Sequence, residues 1–260
     1  MTGQFVKRYP DDRARSRAES HYRWLSGLGN PPLVLPELRA AARLDLCFEF
    51  IAGRHAHPAD LTMLAAHLGD VHGTAYAREL RDARLGQPFR TSSGHVMPSF
   101  LDKRVDAVER ELRSGIVPDA ALTIDQAQRL FADADGPAAF YKDANLRNFL
   151  LTAAGNPVSI DFDNLTLAPF GYDLAKLVVS LAMTYGLLPM ELVDNALTAY
   201  NTAAMAAHGR DVAGVSWDEL MNWAEIHHIL TSRYAADGRY TCQWNEVRPS
   251  SRTTGDPTWP

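Results

Sequence analysis

The run Phe140-Tyr-Lys-Asp-Ala-Asn-Leu-Arg-Asn-Phe-Leu-Leu151 is followed, after a single turn, by Val158-Ser-Ile-Asp-Phe-Asp163. Apolar β-like stretches so close together, with Ala154-Gly-Asn-Pro157 as the connecting turn, are expected to pair as a hairpin. The hairpin constrains the chain because it brings Asp143 and Asn148 of the first stretch towards Asp161 of the second. A carboxylate able to take a proton would then stand beside two oxygen donors able to share a hard cation. Read without this context, Asp143 and Asn148 would be loop residues capping local backbone.

The rest of the chain is organised around this segment. Gln4 to Tyr9 reads as a strand carrying Lys7, and Pro10-Asp-Asp12 as the turn into a helix. That helix spans residues 11–28, with Ala14, Ala18, Tyr22 and Leu25 on one face. Gly27, Gly29, Asn30, Pro31 and Pro32 end it. A strand follows over 44–51, and a lobe boundary is placed at Ala52-Gly53. Leu61, Leu64, Leu68, Val71 and Ala75 stripe a helix with Asp60 as its N-cap, and a further helix carries Leu101, Val105, Val108 and Leu112. Thr123-Ile-Asp-Gln126 is a capping box opening another helix, with Ala127, Leu130 and Phe131 facing inward.

After Asp173 three helical blocks are expected, over 173–185, 189–208 and 216–234. Ser216-Trp-Asp-Glu219 caps the last, which Leu220, Trp223, His227 and Leu230 stripe. The Pro-, Ser- and Thr-rich tail from Val247 is expected to be mobile. The domains are therefore 1–52, 53–246 and a tail, 247–260.

A formal charge of −5 disfavours a nucleic-acid binder. Two cysteines, Cys47 and Cys242, cannot build a disulfide framework, and a reduced cytoplasm is the expected compartment. The N-terminus lacks the apolar core of a signal peptide, and the longest apolar stretch, 174–188, is interrupted by Lys176 and falls short of the ~20 residues a membrane span needs. Neither export nor a membrane partner is expected.

The Asp143/Asn148 spacing is that of a kinase catalytic loop, Asp161 falls where the kinase metal-binding Asp belongs, and Gly171-Tyr-Asp-Leu-Ala175 follows. Together these resemble the aminoglycoside phosphotransferase and choline kinase-like family of small-molecule kinases. The resemblance implies an α+β, protein-kinase-like two-lobe fold with a truncated N-terminal lobe and a mainly helical C-terminal lobe. It implies Asp143 as base, Asn148 and Asp161 on magnesium, and Asp163 as a second ligand or a support for the loop.

Asp173 would tie the start of a helix to the catalytic loop. Lys7 would pair the phosphates of ATP or GTP with Glu19 as its helix partner, and the backbone of Glu49, Phe50 and Ile51 would serve as the adenine-binding hinge. A plain buried strand would contain the same hinge residues. His72 matches a helix-end position in the family and is read as packing. His227 and His228 are read as helix residues, since no third metal ligand has the right spacing.

Two features depart from the pattern. The family opens this loop with His-Gly-Asp, whereas here it is Tyr141-Lys142-Asp143, so Lys142 and Arg147 are expected to add positive charge at the base. Only six residues precede Lys7, too few for a glycine-rich phosphate loop, so the nucleotide would be more open or its phosphates held by other elements.

The acceptor is expected to be an amino sugar or aminoglycoside-like compound, then a choline-like alcohol or another sugar, with Asp194, Asp218, Glu219 and Glu225 available to meet cationic groups. Two other readings remain. One is an inactive kinase-like binding protein. The other is a haloacid dehalogenase-type phosphatase using Asp161-Phe-Asp163, which would require a parallel sheet.

Overall fold

The computed structural model describes residues 3–29, 34–101, 103–117, 119–134, 136–208, 214–236 and 238–249. Asn30, Pro31 and Pro32, and the part of the expected tail from residue 250 on, lie outside them, while Val247, where that tail was expected to begin, is buried in a short helix over Trp244–Val247.

The N-terminal part is a three-stranded antiparallel sheet backed by one helix. Strand β1 (Gln4–Arg8) leads into helix α1 (Asp12–Gly27), whose first turn is closed by the Asp11 side chain accepting from Ala14 N–H at 2.7 Å. Strands β2 (Leu38–Ala41) and β3 (Asp45–Glu49) complete the sheet in the order β1-β3-β2. The β1–β3 register sets Lys7 opposite Leu46. Ala18, His21, Trp24 and Leu25 form the buried stripe of α1. Strand β2 was not foreseen, since Leu38-Arg-Ala-Ala41 has no apolar alternation to mark it.

A short strand β4 (Arg54–His55) and a 3₁₀ turn (Pro58–Asp60) lead into helix α2 (Leu61–Ala75). Asp60 does not cap α2 as expected. Its carboxylate closes the preceding turn on His57 N–H at 2.8 Å and receives a two-pronged guanidinium contact from Arg54 at 2.6 and 2.8 Å. A π turn (Tyr76–Leu80), a small hairpin of β5 (Phe89–Arg90) and β6 (Val96–Met97), and helices α3 (Arg104–Ser114) and α4 (Ile124–Ala132) follow. The capping box opening α4 is formed. Helix α3 begins after Leu101.

The expected hairpin is present but shorter than its apolar runs. Strand β8 (Phe149–Leu151) pairs antiparallel with β9 (Pro157–Ser159), while β7 (Ala138–Tyr141) pairs with β10 (Thr166–Pro169) instead. Every strand pair among the described residues is antiparallel, so the parallel sheet that the phosphatase reading needs is not formed there.

Helices α5 (Tyr172–Tyr185), α6 (Met190–His208), α7 (Trp217–Ala236) and α8 (Trp244–Val247) complete the fold. Residues 172–183 of α5 are all buried, which explains why this stretch reads as continuously apolar. Ser216 and Glu219 cap α7 reciprocally, as expected. Helices α2 and α6 approach backbone to backbone, because a Cβ at Gly69 would stand 2.2 Å from the Tyr200 carbonyl oxygen and one at Gly73 2.5 Å from that of Ala204.

Candidate active site

The loop between β7 and β8 and the turn after β9 converge, and both carry strain where they do so. Asp143 and Asp161 adopt left-handed backbone conformations, with φ of +65° and +56°. Non-glycine residues held there cost about 1–3 kcal/mol and persist only where the surroundings impose them. For Asp143 the surroundings are visible. Its carbonyl accepts from Asn145 N–H and from the Asn148 side-chain amide, both at 2.7 Å. The flanking Lys142 and Ala144 N–H groups each donate to the Asp173 carboxylate at 2.9 Å. Asp173 thus ties the start of α5 to this loop.

Behind Asp173 lies a buried relay. Gly171 N–H donates to the Tyr200 hydroxyl at 2.9 Å, that hydroxyl lies 2.8 Å from His72 Nδ1, and His72 Nε2 is 3.6 Å from the Asp173 carboxylate. His72 packs edge-on against Phe140, Phe170 and Tyr200, as expected, and its Nε2 makes no hydrogen bond among the described residues. Gly171 must be glycine: its φ is +81°, and a Cβ would stand 2.8 Å from Val215.

The Asp143 carboxylate accepts from the Tyr141 hydroxyl at 3.0 Å, and the Lys176 ammonium stands 4.0 Å from the same oxygen. Burial, reinforced by the Asp143 charge, pushes the Tyr141 phenol well above its ordinary value, so it stays a neutral donor. Lys142 makes no hydrogen bond to Asp143. Its buried ammonium lies 4.4 Å from the centre of the Phe149 ring, where it feels the charges of Asp173, Asp143 and Asp161 without contacting them. Burial lowers its pKa. The cation beside Asp143 is Lys176, which read in the sequence only as an interruption of an apolar stretch.

On the other side, Lys7 of β1 bridges Asp161 and Asp163, with 2.8 Å to each carboxylate. Burial pushes the Lys7 ammonium down, but its bonds to the two carboxylates outweigh this and hold it above the usual lysine value. The Tyr9 hydroxyl donates to Asp163 at 3.2 Å. The expected Lys7–Glu19 pair is not formed: Glu19 is held by Arg15 and by Arg23 on its own helix. The link from α1 to the Asp161–Asp163 turn runs through His21, whose Nδ1 bonds the Phe162 carbonyl at 2.8 Å.

Two cavities meet at Asn148 and Asp161. The first, of about 600 Å³, is lined by Phe48, Glu49, Phe50, Ile51, Leu150 and Phe162 among others, with Lys7 at its polar end. The Glu49 and Phe50 N–H groups already donate to the carbonyls of Glu37 and Gly3, and no such bond holds the Ile51 N–H among the described residues. The second cavity, of about 300 Å³, is lined by Asp143, Arg147, Lys176 and Arg239, together with the hydroxyl-bearing Thr231 and Tyr240.

The oxygen atoms of Asn148 and Asp161 at the junction are a donor pair of the kind that binds a hard divalent cation. Asn148 spends its amide N–H on the Asp143 carbonyl, which leaves its side-chain oxygen to coordinate beside the Asp161 carboxylate. No group of three His, Cys, Asp or Glu able to hold a metal occurs among the described residues. Magnesium fits such a junction because it binds through one or two carboxylates plus substrate phosphates.

The structure resembles the amicoumacin kinase hAmiN solved with AMP-PNP and Ca²⁺, at TM-score 0.58 and 14% identity, covering 90% of this chain and 72% of that one. It also resembles aminoglycoside phosphotransferase APH(3'')-Id from Streptomyces rimosus, solved with ADP and streptomycin, at TM-score 0.54 and 17% identity over 87% and 86% of the two chains. The choline kinase of Streptococcus pneumoniae matches at TM-score 0.53 and 12% identity over 95% and 84%. The fold is therefore protein-kinase-like. A comparison with curated protein sequences finds no match. Residues 4–211 match the phosphotransferase enzyme family, and with four-fifths of its length inside that match the chain belongs to this family.

Proposed function

We propose that the protein moves the γ-phosphoryl group of a nucleoside triphosphate, ATP or GTP, to a hydroxyl of a small molecule. The observation that carries this reading is the meeting of an apolar cavity and a polar one at Asn148 and Asp161, with Asp143 on the polar side. A nucleotide base suits the apolar cavity, against Phe50 and the Ile51 backbone of the segment Glu49–Ile51. Its phosphates then point towards Lys7 and the junction. Magnesium would be held by Asn148 and Asp161 and would neutralise the phosphate charge.

In the polar cavity Asp143 orients the acceptor hydroxyl and takes its proton as the hydroxyl oxygen bonds to the γ-phosphorus. The bond to the β-phosphate oxygen breaks, and the nucleoside diphosphate leaves. Tyr141 occupies one Asp143 oxygen, leaving the other for that proton. Lys176 takes the charge-compensating role foreseen for Lys142, and Arg147 adds its charge at the exposed edge.

For the acceptor, kinship supports aminoglycoside-like amino sugars and choline as trial compounds. The acidic side chains expected to receive their charge are elsewhere. Glu225 is buried against Trp244 and Arg248, Glu219 caps α7, and Asp194 and Asp218 do not line the cavity. The described cysteines are free thiols, which supports a reducing compartment such as the cytoplasm, and no described helix is long and apolar enough to cross a membrane.

Asp143→Asn keeps the size and removes the proton acceptor. Turnover is expected to fall about 10²–10⁴-fold with nucleotide affinity and melting temperature little changed. Wild-type turnover in this variant would remove Asp143 as the base.

A further inference from the structure

The acceptor cavity has the wrong charge for a cationic substrate. Its carboxylates are Asp143 and Asp161, one engaged by Tyr141 and Lys176 and the other by Lys7. Facing them are three cations, Arg147, Lys176 and Arg239. Lys176 is buried next to the base, where it can serve the transferred phosphate, but Arg147 and Arg239 are exposed at the mouth. The Arg147 guanidinium reaches the Arg239 carbonyl at 3.5 Å, so the two arginines are neighbours. Neither has a carboxylate partner among the described residues. Two arginines free of carboxylate partners at a small cavity, Arg147 on the Arg239 carbonyl and Arg239 stacked over the Tyr234 ring, offer N–H donors of the kind that hold a carboxylate or phosphate group. The wall between them and the base carries hydroxyls. Thr184 and Thr231 donate theirs to helix carbonyls at 2.7 and 2.6 Å, and so offer oxygen lone pairs to a ligand hydroxyl.

We propose that the acceptor is a polyhydroxylated anion, a sugar acid or sugar phosphate, whose negative group is held by Arg147 and Arg239 while one of its hydroxyls faces Asp143. The proposal rests on the phosphotransfer reading given above and fixes the charge class of its acceptor. An ammonium group in this cavity would meet three like charges and two carboxylates already paired.

The test uses ligands matched in shape and differing in charge: D-glucose, D-glucosamine, D-glucuronate and glucose 1-phosphate. Their binding to the full chain is read by saturation-transfer NMR, which needs no turnover. The anions are expected to bind best, and the order of glucuronate against glucose 1-phosphate tells carboxylate from phosphate. In Arg147→Glu, an exposed change whose melting temperature should match wild type, anion binding is expected to weaken about tenfold and glucosamine to gain. Glucosamine binding as well as the anions, no preference among the four, or an order unmoved by Arg147→Glu would overturn the proposal. Phosphotransfer is followed separately with γ-labelled ATP and small-molecule extracts separated into anionic, neutral and cationic pools. Label entering the cationic or neutral pool would also overturn it. Label entering none, with the anion preference intact, would overturn the phosphotransfer reading and leave the charge selectivity standing.

Discussion

Helix α1 reaches the Asp161–Asp163 turn through an imidazole rather than a carboxylate. His21 holds the carbonyl of Phe162, the residue between Asp161 and Asp163, whereas Glu19 is bound by Arg15 and Arg23 on its own helix. Glu19→Gln is therefore expected to leave turnover within about twofold of wild type, since intrahelical pairs contribute only ~0.3–0.5 kcal/mol. His21→Leu leaves a buried carbonyl unpartnered, at a cost of about 1–3 kcal/mol, and should lower turnover about tenfold by loosening the Asp161 turn. Steady-state rates at saturating ATP decide. A larger loss for Glu19→Gln than for His21→Leu would restore the glutamate to the site. The sequence made Asp143, Asn148 and Asp161 legible because their spacing is local. His21 and His72 were not, because their partners lie 141 and 128 residues away. Lys176 did leave a signal: a lysine three positions after Asp173, on the same helical face, in an otherwise apolar helix.

At the scale of elements, the loop carrying Asp143 is backed by a close contact between α2 and α6. Gly69 and Gly73 lie four apart on one face of α2 and let α6 approach until Tyr200 can bond both His72 and Gly171 N–H. Gly69→Ala puts a methyl 2.2 Å from the Tyr200 carbonyl, and backbone cannot swing aside as a side chain does. The expected cost is about 1–3 kcal/mol in urea unfolding, with turnover lowered as well because Asp173 loses its backing. Unchanged stability and rate would mean that α2 and α6 are not so closely packed. Periodicity made most helices legible, and both capping boxes formed where their sequence patterns stand. It could not reveal that β7 pairs with β10 and not within the hairpin, since strand partners are chosen by tertiary packing rather than by the strand's own residues.

For the molecule as a whole, imidazoles packed beside lysines have lowered pKa values and give stability a dependence on pH. His67 lies near Lys142, and burial first, then the Lys142 charge, lowers its pKa to about 4. His227 donates to the Tyr172 carbonyl at 2.9 Å, and burial, then the Lys176 charge, lowers its pKa well below the ordinary histidine value. Both are neutral in the native protein, whereas the unfolded chain protonates them near 6.5. Stability is therefore unaffected above pH 6.5 and declines as pH falls below it, because only the unfolded state takes up those protons. For His67 the decline continues until the native imidazole titrates near pH 4, and amounts to up to about 2 kcal/mol between pH 7.5 and 5. This window lies above the ordinary carboxylate range, so the loss there belongs to histidine. Urea unfolding at pH 7.5, 6 and 5 should show midpoints that fall with pH at a constant slope in denaturant, and His67→Gln should flatten the decline by its own share. Midpoints equal at pH 7.5 and 5 would mean that these imidazoles carry charge in the folded state, which the cations packed around them make unfavourable.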